Sequence, residues 1–161
     1  MTVQAVAPMP ARAFAEHEHR DLSQGVNRLH EVACGTSHSA TPEVSVHVLE
    51  VLRWLDTTLE PHIAWEEGWL YPEIERRSGS QWATRAAQFD HRQIREMVGF
   101  VRADREKLGH SDRLDRHDEL RCHLFGLEAL LRAHLEREER FLLPLLDEPA
   151  LPPTVAPAAP A

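Results

Sequence analysis

Six residues stand out by type and spacing: His19, His62, Glu66, His91, His134 and Glu138. His19 and His91 are 72 residues apart, and the same offset relates His62 to His134 and Glu66 to Glu138. Imidazole both titrates near neutrality and is the commonest side-chain metal ligand, and the chain carries 11 His beside a single Tyr. On a helix, residues four apart are separated by about 40° around the axis and ~6 Å along it. His62 and Glu66 therefore point the same way, as do His134 and Glu138. That direction is inward, because Leu55, Leu59, Trp69 and Glu73 share the first stripe and Leu127, Leu131, Phe141 and Leu145 the second. A buried carboxylate or imidazolium without a partner costs several kcal/mol, so such a set must neutralise itself or hold a metal. Taken singly, each histidine also reads as a surface or hydrogen-bonded core residue, and His62 with Glu66 as an ordinary ion pair. Repetition at one offset favours the metal. Four imidazoles and two carboxylates suit a pair of iron ions, with each Glu able to bridge both.

The elements that must position these residues read as helices. Phe14, Leu22, Val26 and Leu29 form one apolar stripe, expected to end near Cys34 with Gly35 in the left-handed conformation. Thr41 is the expected N-cap of a second helix, with Pro42 at its first position, carrying Val44, Val48, Val51, Leu52, Leu55, Leu59, Ile63 and Leu70. Ser80 opens a third with Ala87, Ile94, Val98 and Val101, and a fourth runs from about Ser111 to Leu146. No segment alternates with period two. Short connections then give an all-α, up-down-up-down antiparallel four-helix bundle. The flanks repeat as well, Glu18-His19-Arg20 as Asp90-His91-Arg92 and Leu55, Leu59, Leu70 and Pro72 as Leu127, Leu131, Leu142 and Pro144. The expectation is two helical hairpins related by an internal pseudo-two-fold.

Composition sets the remaining bounds. The 161 residues are enough for one domain with a real core. The domain is expected over 12–147, between Pro- and Ala-rich flexible tails at 1–11 and 148–161. A net charge of -8 argues against nucleic acid, and no apolar run is long enough for a bilayer. Two cysteines, Cys34 and Cys122, are too few for a disulfide scaffold, and the first cation, Arg12, comes late for a signal peptide, which points to the cytoplasm.

The pattern His19, His62-x-x-x-Glu66, His91, His134-x-x-x-Glu138, with a Glu-Glu pair and a downstream Pro in both motifs, resembles the hemerythrin-like, or HHE cation-binding, domain family over roughly Ala11 to Asp147. The resemblance implies a four-helix bundle with two iron ions under an oxo or hydroxo bridge. His19, His62, His91 and His134 would be the terminal ligands and Glu66 and Glu138 the bridges. Oxygen-carrying members have a fifth His where this chain has Arg95, with Ser23 at the symmetric position. Their last carboxylate is an Asp five residues after its His, at the place of Glu139. The implied function is therefore turnover of oxidant, O2 or hydrogen peroxide in a catalase-like cycle, at positions left open on the metals. The alternative is a module that binds or senses O2, NO or iron. A structural zinc site is a third reading, disfavoured because such sites usually include Cys.

Weaker expectations attach to other residues. Trp69 and Phe141, one turn beyond the two Glu, would wall the metal pocket or simply pack in the core. Tyr71, about 180° around the helix from His62, is not expected at the site. Pro61 should kink the second helix. Arg95 is expected either beside the pocket as a cation or extended to water. His17, His38, His47, His110 and His117 should face solvent. His30, His123 and Arg102 reach one end of the bundle, where they either form a second polar cluster or, as polar residues more often do, simply line a solvated end.

Overall fold

The computed structural model describes residues 11–37, 39–108 and 114–147. The proposed tails, apart from Ala11, and the positions of His38 and His110 lie outside the described residues. Everything regular among the described residues is helical: α1 (Ala11–Gly35), α2 (Thr41–Trp54), α3 (Glu60–Trp65), α4 (Tyr71–Ser78), α5 (Arg85–Leu108) and α6 (Leu114–Arg137). Right-handed helical dihedrals continue without a break from α2 through α4, so residues 41–78 form one rod. A second extension carries α6 on through residues 138–146. Four rods result. The first and the third each pack against both the second and the fourth.

The apolar stripes read from the sequence are the core. Leu22, Val26, Leu29, Val48, Ile63, Ile94, Val101, Leu120, Leu124, Leu127 and Leu131 are all fully buried or nearly so. A smaller apolar cluster of Ala15, Leu70, Tyr71, Ile74, Ala87, Leu142, Leu143 and Leu146 lies apart from this main one. In α1, His19 falls between Ala15 of the smaller cluster and Leu22 of the larger.

Helix ends differ in detail from expectation. Gly35 is not left-handed; Thr36 closes α1 instead, its N–H and hydroxyl both donating to the Val32 carbonyl. Among the described residues Gly79 is the one with positive φ, at 64°, and it ends α4 where a side chain would be strained. The N-cap of α2 is Ala40, and the Thr41 hydroxyl meets His117 instead. Ser80 accepts from the Trp82 N–H in a turn that precedes α5.

Three wide π-turns, Leu55–Leu59, Glu66–Leu70 and Glu138–Leu142, interrupt the rods. Each closes through an N–H to the carbonyl five residues back, from Glu60 to Leu55, Tyr71 to Glu66 and Leu143 to Glu138. A proline follows every one, at Pro61, Pro72 and Pro144. Proline has no N–H, and its ring collides with the carbonyl four residues back in an α-helix; a wider turn relieves that collision. The chain holds its own control. Ala133 is the repeat partner of Pro61, and α6 passes through that position without a π-turn. At Pro61, where a kink is expected, the rod instead carries a wide turn and continues with helical dihedrals.

Candidate metal centre

His19 on α1, His62 on α3, His91 on α5 and His134 on α6 all turn inward, and all are 3% exposed or less. Glu66 and Glu138, each the first residue of a π-turn, are fully buried beside them. All six residues singled out from the sequence meet.

They form two overlapping groups of four. One ligand atom each from His19, His62, Glu66 and Glu138 lies within 4.8 Å of the others, and the same holds for Glu66, His91, His134 and Glu138. Donors about 2.0–2.2 Å from a shared ion stand roughly 3–4 Å apart, so each group is close to the size of a coordination shell. The two carboxylates belong to both groups.

The buried polar atoms fit a cation. His62 Nε2 and Glu66 Oε1 are 2.8 Å apart yet not aligned as donor and acceptor. The Nε2 atoms of His19 and His62, both oxygens of Glu66 and Glu138 Oε2 are buried without a hydrogen-bond partner. Orphaned buried groups of this kind cost several kcal/mol, and an ion between them satisfies them together. Without an ion, protons take its place. Burial lowers the His19 pKa, but Glu138 and Glu66 more than reverse this and push it up to about 10. Burial likewise works to raise the Glu66 carboxyl, and His19, His62 and His91 hold it well below the usual carboxylate range.

Beside the second group lies Tyr71, which an unbroken α-helical wheel would turn away from His62. Tyr71 is 1% exposed, donates its hydroxyl to Glu138 Oε1 at 2.5 Å and lies 3.1 Å from His91 Nε2. The π-turn from Glu66 to Leu70 explains this. A wider turn carries an extra residue, so every position after it lags behind the α-helical wheel. Tyr71 swings in. Trp69 and Phe141 swing out, to 48% and 66% exposed, while Leu70 and Leu142 take the inward places. The expected aromatic wall is thus absent at those positions, and Trp69 stacks on Trp65. The signal was in the sequence as the proline six residues after each of Glu66 and Glu138. Burial, then the charges of Glu138 and Glu66, keep the Tyr71 hydroxyl far above its ordinary pKa, so it remains a donor.

Arg95 is neither in the pocket nor free in water. Its guanidinium holds Glu60 at 2.8 Å and Glu67 at 2.9 Å, and Glu67 in turn meets His91 Nδ1 at 2.9 Å. The second polar cluster does not form. His30 pairs with Glu128, His123 with buried Asp104 and Arg102 with Asp56, with no common partner. Each is satisfied by the nearest carboxylate across its own helix interface. His17 and His47 are exposed, His117 is half-buried, and Cys34 and Cys122 are exposed free thiols.

Four packed helices around two carboxylate-bridged groups of donors define a metal-binding helical bundle. The chain matches the hemerythrin HHE cation-binding domain over residues 12–146 and belongs to that family. No curated protein and no solved structure matches it.

Proposed function

We propose that the centre holds two iron ions through His19, His62, His91, His134 and the shared Glu66 and Glu138, and that the protein turns over O2 or hydrogen peroxide. The observation that carries the reading is the sharing of both carboxylates between the two groups of donors. Two iron ions, when bound, supply the electron-transfer chemistry that decomposes hydrogen peroxide to water and oxygen. The chain's own residues build the surroundings. Apolar side chains of two clusters exclude bulk water, and Tyr71 fixes one oxygen of Glu138. Arg95 stays with Glu60 and Glu67, consistent with a site that lacks the extra imidazole of the oxygen carriers.

In this reading the bundle at 12–147 is one up-down-up-down domain whose halves are related by an internal two-fold, supported by the 72-residue repeat. Small molecules such as O2, peroxide or NO approach from the His19 side. A groove of about 200 Å³ lies there, lined by Ser23, Val26, Arg132, Leu135, Glu136 and Glu139, and Ser23 is the small repeat partner of Arg95. No described helix is long and apolar enough to cross a membrane. The two free thiols suit the cytoplasm.

The test is hydrogen peroxide consumption with oxygen release by the iron-loaded protein, beside Glu66→Ala. Consumption well above that of free iron, lost in the variant, is the expected result. No consumption, together with a stable and reversible oxygenated spectrum, makes the protein a carrier or sensor instead.

A further inference from the structure

The outward nitrogen of every inward-facing imidazole looks at a carboxylate. His91 Nδ1 is 2.9 Å from Glu67, His19 Nδ1 is 3.5 Å from Glu139, His134 Nδ1 is 3.6 Å from Asp90 and His62 Nδ1 is 3.9 Å from Glu18. Each of these acids is the chain neighbour of a donor: Glu18 precedes His19, Asp90 precedes His91, Glu67 follows Glu66 and Glu139 follows Glu138. None serves the histidine of its own rod. Consecutive residues are about 100° apart on a helix, so the neighbour of an inward residue points sideways, at the adjacent rod. Glu18 on α1 faces the second rod, Glu67 there faces α5, Asp90 on α5 faces α6, and Glu139 beyond α6 faces α1. The pairs pass through all four rods and close.

We propose that Glu18, Glu67, Asp90 and Glu139 are positioning residues for the metal centre, each accepting the Nδ1–H of an imidazole on the next rod so that a bare Nε2 faces the ion. The proposal rests on the metal reading above. In a neutral imidazole the two nitrogens share one proton, so anchoring it at Nδ1 frees Nε2, holds the ring's orientation and strengthens it as a ligand. Glu67 already makes the hydrogen bond, and the other three are within about 1 Å of hydrogen-bond distance.

The ring is uneven. Arg95 grips Glu67 and Arg137 grips Asp90, and these two acids face His91 and His134, the imidazoles of one group of donors. Glu18 and Glu139 face the imidazoles of the other group at 3.9 and 3.5 Å, with no arginine gripping either one among the described residues. Removing Glu67 should therefore cost more than removing Glu139.

Zinc alone, which is diamagnetic, is the probe for the full chain. Its affinity is measured by competition with a chromophoric chelator, and imidazole N–H resonances of the zinc-loaded protein by NMR. The wild type is expected to bind two zinc ions and to show four slowly exchanging Nδ1–H resonances. Glu67→Gln should weaken zinc roughly 10–100-fold and move one resonance, and Glu139→Gln should move a different one with a smaller loss. Glu60→Gln removes another partner of Arg95 without touching an imidazole, and should change neither readout. Wild-type affinity and unmoved resonances in both Glu67→Gln and Glu139→Gln overturn the ring while a stoichiometry of two preserves the metal reading. A wild type that takes up no zinc overturns both. Loss of helicity along with zinc in Glu67→Gln, by circular dichroism of the metal-free chain, also counts against a positioning role.

Discussion

The Tyr71 hydroxyl and Glu138 Oε1, 67 residues apart in the chain, meet at 2.5 Å in the buried centre. This bond makes the two carboxylates unequal. Glu138 has one oxygen held by a neutral donor, whereas both oxygens of Glu66 lack a hydrogen-bond partner. Glu138 thus has a fixed neutral donor, whereas Glu66 depends on the imidazoles of His19, His62 and His91.

Tyr71→Phe keeps the ring and deletes the donor. A hydrogen bond to a buried charged group contributes about 1.5–3 kcal/mol, so the metal-free variant should be destabilised by that amount in chemical denaturation. An unchanged midpoint means that Glu138 finds another donor.

Glu66→Ala and Glu138→Ala each remove an oxygen donor from both groups at once. Metal content and melting temperature should fall together, because four buried imidazoles then face the ions with half the compensating charge. Elemental analysis of each purified variant checks this. Full metal content in either one shows that its carboxylate is not shared.

Gly25 sits where α1 meets the indole of Trp54, and a Cβ there would run into the ring. Gly25→Ala must push Trp54 aside. Overpacking of this kind costs about 1–3 kcal/mol, measurable as a lower denaturation midpoint, and pairing it with Trp54→Leu should recover part of the loss. An equal or higher midpoint in Gly25→Ala alone would mean that the indole moves freely.

Arg76 and Arg77 hold the Glu73 carboxyl down to about 2, from an ordinary value near 4.5. A depressed folded-state pKa contributes stability that is present above pH 4.5 and is lost as pH falls toward 2. The stability gap between wild type and Glu73→Gln should therefore be constant near neutrality and shrink below pH 4.5. Because the Arg76 side chain is exposed, the same gap should also shrink in high salt. A gap independent of both sinks the assignment.

The six inward residues were legible because a helix converts sequence spacing directly into direction. His62 with Glu66, repeated as His134 with Glu138, had to share a face, and apolar neighbours had to turn that face inward. Tyr71, Trp69 and Phe141 were misplaced by the same arithmetic, which assumes 3.6 residues per turn throughout. Pro72 and Pro144 mark where the assumption breaks, and the comparison of Pro61 with Ala133 shows that proline accompanies the wider turn. Arg95 failed differently. A long side chain reaches several partners from one backbone position, and its spacing from His91 did not reveal that Glu60 and Glu67 would arrive from another rod.

By itself, then, the sequence determined the helices, the core stripes and the six inward donors, since each follows from periodicity within one segment or from a repeat of that segment. Only the tertiary structure decided how the six residues fall into two groups, that Tyr71 holds Glu138, and that Glu18, Glu67, Asp90 and Glu139 each face the imidazole of another rod. Those relations join residues on separate helices. The rotation of one rod against the next sets them, and packing of whole faces, together with the three wide turns, fixes that rotation.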